Sequence, residues 1–211
     1  MNKIHVFISI LGLTLLNSTA FAASSNFSTG DDGWTAAGDA SGPLTWNPGG
    51  YVSIDDQTIG GVTFFIAPTK FLGNQSAAFG THLTFDLQQI YPGSPNQFED
   101  GDVILQGAGL TLVFDTGYYP ANGAWTSYAV PLIASEGWRV SSLNGSAASD
   151  EQLLAVLSDL SALKIRAEYQ SGPDTGLLDN VALVPEPSTY GLMLIGLSAF
   201  AAMGWRRRNQ G

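Results

Sequence analysis

The chain has 211 residues, no cysteine, eight basic and eighteen acidic residues, and a formal net charge of −10 at pH 7. This acidity argues against nucleic acids and anionic membranes as partners, because phosphate binding needs clustered basic side chains. The absence of cysteine excludes disulfides, and with so few histidines it also argues against a zinc site. The length allows one ordinary domain together with processing segments.

The first 22 residues have the pattern of a secretory signal peptide. Lys3 supplies the positive charge, residues 6–16 form a short apolar core, and Ala20-Phe21-Ala22 places small residues before a cleavage site. A first transmembrane helix is the weaker alternative, because it needs a longer apolar core. We expect signal peptidase to cleave after Ala22.

The segment from Ala23 to Val184 is predicted to form a single all-β domain. It contains four basic and seventeen acidic residues, a net charge of −13. Short apolar stretches alternate with clusters of Gly, Pro, Asn and Asp, as in a β-sandwich. We expect strands at residues 51–54, 62–66, 82–87, 103–106, 110–114, 126–131, 164–169 and 181–183. In the third of these, Leu83, Phe85 and Leu87 share one face.

One helix is predicted after residue 149. Ser149 is a suitable N-cap, Gln152 completes a capping box, and Asp150 and Glu151 favour the positive end of the helix dipole. The apolar stripe that would pack on a sheet consists of Leu153, Leu154, Leu157 and Leu160.

Two stretches carry a family resemblance. Residues 68–74 read Pro-Thr-Lys-Phe-Leu-Gly-Asn and lead into Phe79-Gly80 and a strand, and residues 163–169 read Leu-Lys-Ile-Arg-Ala-Glu-Tyr after the leucine helix. This pattern resembles a laminin IV type A (laminin B) domain over residues 26–183, although Thr81 replaces a family glycine. The resemblance implies a jelly-roll-like antiparallel β-sandwich, similar in shape to galactose-binding and carbohydrate-binding modules.

Residues suited to catalysis are few. His82 is the one histidine of the domain, and its place in a predicted strand disfavours a Ser-His-Asp triad. Glu99 and Asp102 suit a glycosidase carboxylate pair by residue type, but their Gly-rich surroundings predict a solvated loop. We therefore expect a domain without enzymatic activity.

A structural calcium ion is one interpretation of the acidic residues at the two ends of the domain. Asp31 and Asp32 precede Gly33 near the start, and Asp179 lies in the last predicted strand region. If the two ends meet, these carboxylates and nearby carbonyls offer the oxygen ligands that Ca²⁺ prefers. The alternative is that each acidic pair belongs to an ordinary turn.

Aromatic side chains beside loops are candidates for sugar binding. Flat rings stack on sugar faces while polar neighbours bond the hydroxyls. The candidate residues are Tyr118, Tyr119 and Trp125. Core packing is the expected fate of Trp34, Trp46 and Trp138.

The last 27 residues combine Pro185-Glu186-Pro187, an uncharged run at 190–205 and three arginines at 206–208. Sixteen helical residues span roughly 24 Å, just short of a ~30 Å hydrocarbon core. The combination resembles the PEP-CTERM sorting tail of Gram-negative bacteria that secrete exopolysaccharide. The resemblance implies transient membrane anchoring through 190–205 and cleavage by an exosortase near Pro185, Glu186 and Pro187. An ordinary C-terminal anchor is the alternative.

Together these patterns predict an exported surface or matrix protein that associates with exopolysaccharide and binds glycan. A structural or adhesive protein–protein module is the alternative, and a polysaccharide-active enzyme is a weaker one.

Overall fold

The chain folds into two stacked antiparallel β-sheets in a computed structural model, which describes residues 23–92 and 100–183. The strands in chain order are β1 (Ala23–Ser25), β2 (Thr35–Ala37), β3 (Thr45–Asn47), β4 (Tyr51–Asp56), β5 (Phe64–Ile66), β6 (His82–Ile90), β7 (Val103–Gly107), β8 (Leu110–Phe114), β9 (Thr126–Pro131), β10 (Arg139–Val140), β11 (Leu160–Arg166) and β12 (Asp174–Leu183). The α-helix α1 covers Asp150–Ser158, and single 3₁₀ turns occur at Thr69–Phe71, Ser76–Ala78 and Ala134–Glu136.

Each sheet contains six strands. Sheet A has the order β3-β4-β12-β6-β9, with β1 paired to one end of β12, and sheet B has the order β10-β8-β7-β11-β5-β2. The predicted β-sandwich with one short helix is confirmed.

The core lies between the two sheets because the strands alternate apolar and polar residues. In β6 the predicted face of Leu83, Phe85 and Leu87 is fully buried, while the neighbouring side chains point outward. Trp34 and Trp138 are also buried, as expected. Trp46 is 37% exposed instead, because its ring lies on the short edge strand β3 and its Nε1 donates to the Phe27 carbonyl at 2.7 Å.

Helix α1 begins with the predicted capping box. The Gln152 amide donates to Ser149 Oγ at 3.3 Å, and the Ser149 amide donates to Gln152 Oε1 at 2.9 Å. Leu153 and Leu157 pack into the core, with Val156 between them. Leu154 was assigned to the wrong face, since it is 41% exposed.

Strand β12 differs most from its prediction. Only residues 181–183 were expected to be extended, but the strand has ten residues and pairs with β4, β6 and β1. A bulge lies between Asp179 and Ala182, where Asn180 has a φ of +50°. The short strands β1, β2, β3 and β10 were not predicted.

Several predictions fall on residues outside the described part of the chain. They are the signal peptide at 1–22, the residues Pro185, Glu186 and Pro187, the membrane segment at 190–205 and the loop containing Glu99. None of the described helices is long and apolar enough to cross a membrane.

Candidate functional site

The outer face of sheet A, which points away from the core, is built from alternate residues of its strands. Asp86 of β6 lies between Ser127 of β9 and Asp179 of β12, and Gln88 lies opposite Leu177. Leu177 is only 6% exposed although its register places it on this face. Other side chains must therefore cover the middle of the face.

An aromatic pair spans this face. Trp125, just before β9, lies edge-on to Tyr51 of β4 with ring centroids 5.7 Å apart. β12 and β6 separate these two strands, so the rings reach toward each other from opposite sides of the sheet. Trp125 is 43% exposed and keeps much of its surface open to solvent.

A cleft of about 510 Å³ opens beside β6 and β9, with Asp86, Tyr118, Ser127 and Asn180 in its wall. Asn180 Nδ2 donates to Asp86 Oδ2 at 2.8 Å, and the Asn180 amide donates to Asp179 Oδ1 at 2.6 Å. The bulge in β12 thus fixes an amide and a carboxylate at the cleft. Sequence patterns did not single out Asp86 or Asn180, although Asp86 occupies an outward position of a strand that was predicted.

Tyr118 completes a stack of three rings that runs from the core to the cleft. Phe85 and Tyr128 are parallel at 5.2 Å, and Tyr128 and Tyr118 are parallel at 4.7 Å. The Tyr118 hydroxyl donates to the Ser127 carbonyl at 3.2 Å, while half of the residue remains exposed. Burial, with the nearby charge of Asp102, raises the pKa of Tyr128 far above its usual range, so its hydroxyl stays a donor, to the Tyr118 carbonyl.

Tyr119 lies apart from this group. Its ring is edge-on to Tyr169, 5.8 Å away, and Tyr169 is fully buried after the end of β11. The structure therefore brings Tyr118 and Trp125 to the same edge strand, β9, and places Tyr119 elsewhere.

The structure does not bring Asp31, Asp32 and Asp179 together as metal ligands. Asp32 forms an ion pair with Lys70 and accepts a hydrogen bond from Ser25 Oγ at 2.7 Å. Burial acts to raise the pKa of Asp32, but these contacts outweigh it and lower the pKa.

Asp31 caps its own turn by accepting from the Gly33 amide at 2.9 Å, and Asp179 accepts from the Asn180 amide. The turn interpretation fits Asp31, whose carboxylate bonds a backbone amide two residues on. Asp179 lies instead at the bulge of strand β12, so the turn expected there was wrong. Among the described residues, three acidic side chains converge at a different place, which is treated below.

The prediction that Asp102 lies in a solvated loop was wrong, because its side chain is buried. It is 4% exposed, accepts from the Thr116 amide at 2.8 Å, and lies 3.8 Å from Nη1 of the buried Arg166. Burial raises the pKa of its carboxyl, against the opposing effect of Thr116 and Arg166. Asp102 therefore has a structural role in the core. His82 is an exposed residue of β6 opposite Pro131, as expected for a sheet histidine.

Comparison with known proteins agrees with this architecture. The sequence profile of the laminin B (domain IV) family matches residues 64–186, more than half of the chain. The chain belongs to the laminin B family. The profile of the PEP-CTERM protein-sorting motif matches residues 183–208. Both predicted resemblances are confirmed, and the tail together with the laminin B domain identifies an exported, membrane-anchored surface protein.

Relatives of this laminin B domain occur in much longer proteins. Laminin subunit gamma-1 of Xenopus tropicalis is 31% identical over 168 residues, which are 76% of this chain and 10% of that protein. Laminin subunit gamma-2 of Homo sapiens is 34% identical over 126 residues, 57% of this chain and 10% of that protein. The chain thus spans about a tenth of the length of these relatives. The L4b domain of human laminin alpha-2 has the same fold, with a TM-score of 0.61, 13% identity and coverage of 76% of this chain and 95% of that one.

Proposed function

We propose that this laminin B domain binds extracellular glycan on the outer face of sheet A. The observation that carries the proposal is the cleft between Tyr118 and Asn180, where the half-exposed ring of Tyr118 lies beside the fixed polar groups of Asp86 and Asn180. The ligand is expected to be exopolysaccharide at the surface of the producing Gram-negative cell, and the domain is expected to bind it without cleaving it.

The residues of the cleft and of the face beside it suit sugar chemistry. Tyr118 in the wall of the cleft and Trp125 elsewhere on the outer face of sheet A offer half-exposed rings for the apolar faces of pyranose units. Asp86 and Asn180 offer a carboxylate and an amide for pairs of hydroxyl groups, and their mutual hydrogen bond holds them in place. A cleft of about 510 Å³ lies within the usual size range of small-ligand sites.

The charge of the domain narrows the class of glycan. A net charge of −13 over residues 23–184 repels polysaccharides rich in uronic acids or sulfate groups. The proposed ligand is therefore a neutral polysaccharide.

The PEP-CTERM tail supports a location where such a ligand is present. It matches the sorting motif, so processing by signal peptidase and an exosortase is expected during export. Cleavage near Pro185, Glu186 and Pro187 would free the domain from the membrane segment at 190–205 after export.

The test is affinity electrophoresis of the exported protein in gels that contain neutral polysaccharides or the producing strain's own exopolysaccharide. Trp125→Ala and Asp86→Asn should each weaken binding by about tenfold, equivalent to roughly 1.4 kcal/mol. Tyr119→Ala is the matched control, because it removes a similarly exposed ring away from the cleft.

Binding that Trp125→Ala and Asp86→Asn leave unchanged would refute the assignment of this face. No glycan binding, combined with self-association or attachment to cells, would favour the structural or adhesive function instead.

A further inference from the structure

Three carboxylates from distant parts of the chain converge at one end of the sandwich. Asp39 lies between β2 and β3, Asp56 ends β4, and Glu168 follows β11. One oxygen of each lies within 4.8 Å of the others, and we call this group the acidic cluster. Oxygens that bind one Ca²⁺ at about 2.4 Å lie at most about 4.8 Å apart, so this spacing fits a single ion.

Hydrogen bonds hold each carboxylate from outside the cluster. Thr63 connects two of them, since its amide donates to Glu168 Oε2 at 3.0 Å and its hydroxyl donates to Asp39 Oδ1 at 3.1 Å. Asp56 Oδ1 accepts from the Thr58 amide at 2.9 Å and from the Thr58 hydroxyl at 2.6 Å. These donors fix the orientation of all three groups.

The remaining oxygens of two members have no donor. Asp56 is 99% buried, and its Oδ2 is buried without a hydrogen-bond partner among the described residues. Asp39 Oδ2 is in the same situation. The ion pairs of the described residues join Lys70 to Asp32 and Arg166 to Asp102, so neither Asp39 nor Asp56 is neutralised by a basic side chain there. A buried carboxylate oxygen without a donor or a cation is costly.

Like charges also crowd this end of the sandwich. Asp174, opposite Asp56 in the β4–β12 register, adds a fourth buried carboxyl group. A dication among these groups would replace their mutual repulsion by attraction.

The backbone around the cluster leaves room for the carboxylates. A Cβ at Gly61, where φ is +89°, would lie 2.0 Å from Asp39 Oδ2. The glycine therefore allows the chain between β4 and β5 to pass directly against this oxygen.

We propose that Asp39, Asp56 and Glu168 bind a calcium ion that links sheet A to sheet B. The metal-binding atoms of the cluster are all carboxylate oxygens, whereas zinc sites usually use cysteine sulfur or histidine nitrogen. The three carboxylates supply part of the six to eight oxygens that Ca²⁺ takes, and water can supply others, whereas Mg²⁺ needs regular octahedral geometry that a buried cluster does not favour. The site is distinct from the glycan cleft and does not depend on that function.

The test uses the full-length chain with its tail, purified in mild detergent and stripped with EDTA. Calorimetric titration with CaCl₂ should show one saturable site per chain, and the melting temperature should rise with calcium concentration. MgCl₂ should bind at least about tenfold more weakly. Absence of saturable calcium binding, with a melting temperature equal in EDTA and calcium, would overturn the proposal.

Asp56→Asn and its neighbour Asp55→Asn form a matched pair of variants. Asp56→Asn should lower calcium affinity by more than about tenfold, because one charged ligand is lost. Asp55 is exposed and bonds Thr175, so Asp55→Asn should bind calcium like the parent protein. Equal affinity in both variants would overturn the assignment.

A structural role for Asp56 gives a different signature from a metal-binding role. If Asp56 binds calcium, the melting temperature of Asp56→Asn is lower than that of the parent in calcium. In EDTA it is not lower, because the substitution then removes one of the carboxylate charges that repel each other. If Asp56 only accepts from Thr58, the variant melts below the parent equally in both conditions, which would refute the proposal. Glu168→Gln is the second variant if Asp56→Asn does not fold, and it should show the same dependence on calcium.

Discussion

The buried pair of Asp102 and Arg166 gives the sharpest test of how the domain is held together. Both side chains are almost fully buried, and their charged atoms are 3.8 Å apart. Arg166 also donates from Nε to the Glu168 carbonyl at 2.7 Å and lies 4.8 Å from the centre of the Tyr169 ring. Replacement of one partner leaves the other charge without its ion-pair partner in the core.

We expect Asp102→Leu and Arg166→Met each to lower the free energy of unfolding by about 3–5 kcal/mol. For a domain of about 160 residues this corresponds to a melting temperature lower by roughly 6–20 °C. The double variant should be more stable than the sum of the two single effects by about 1–3 kcal/mol, because it leaves no isolated charge.

Urea unfolding of the parent, both single variants and the double variant measures this coupling. Effects that add within about 0.5 kcal/mol would refute the reasoning. The pH dependence gives a second readout. Because burial raises the pKa of Asp102 above its ordinary 3.8, the folded state binds this proton more tightly than the unfolded chain, and the contribution of Asp102 to stability falls as the pH rises from 3.8 through its folded pKa. Asp102→Leu and the double variant should both lose this part of the pH dependence of the free energy of unfolding.

Three further predictions concern the helix, the sheet packing and the tail. Ser149→Ala should cost about 1 kcal/mol in urea unfolding through loss of the N-cap, and an unchanged midpoint would contradict the capping assignment. Gly176→Ala should destabilise the domain by about 1–3 kcal/mol, since its Cβ would lie 2.2 Å from the Ala167 carbonyl oxygen, whereas Gly42→Ala, which meets nothing within 4 Å, should have little effect. Intact-mass analysis of the exported protein should show a C-terminus near Pro185, and a mass that includes the last six residues would contradict exosortase processing.

Local patterns predicted the parts of the fold that depend on neighbouring residues. The alternation in β6 and the residues of β8 and β9 were recognisable, and the capping box located α1. The first part of strand β12 was missed because Asp174, Thr175 and Gly176 have the composition of a turn. Their extended conformation comes from pairing with β4 and β6 on both sides, which no local pattern records.

The candidate sites likewise divide into residues that local patterns identified and contacts that only the folded chain creates. Tyr118 and Trp125 were recognisable as aromatic residues beside loops, but the contact of Trp125 with Tyr51 depends on the order of strands in sheet A. The acidic cluster was missed entirely, because Asp39 and Glu168 lie at opposite ends of the domain sequence and only the stacking of the sheets brings them together. Asp31 and Asp32 were easier to select as calcium ligands because they are adjacent in the sequence, but adjacent acidic residues before a glycine are also typical of a turn.

The pairing of β1 with β12 brings the two ends of the described domain together. Ala23, the first residue after the predicted signal peptide, lies opposite Leu183, which immediately precedes the sorting tail. β12 also provides the hydrogen-bonding partner for both β4 and β6, so sheet A cannot be completed before the residues of β12 are available. A chain exported from its N-terminus would therefore complete sheet A last at the end that leads into the sorting motif, and the two ends of the folded domain would lie side by side when that motif is processed.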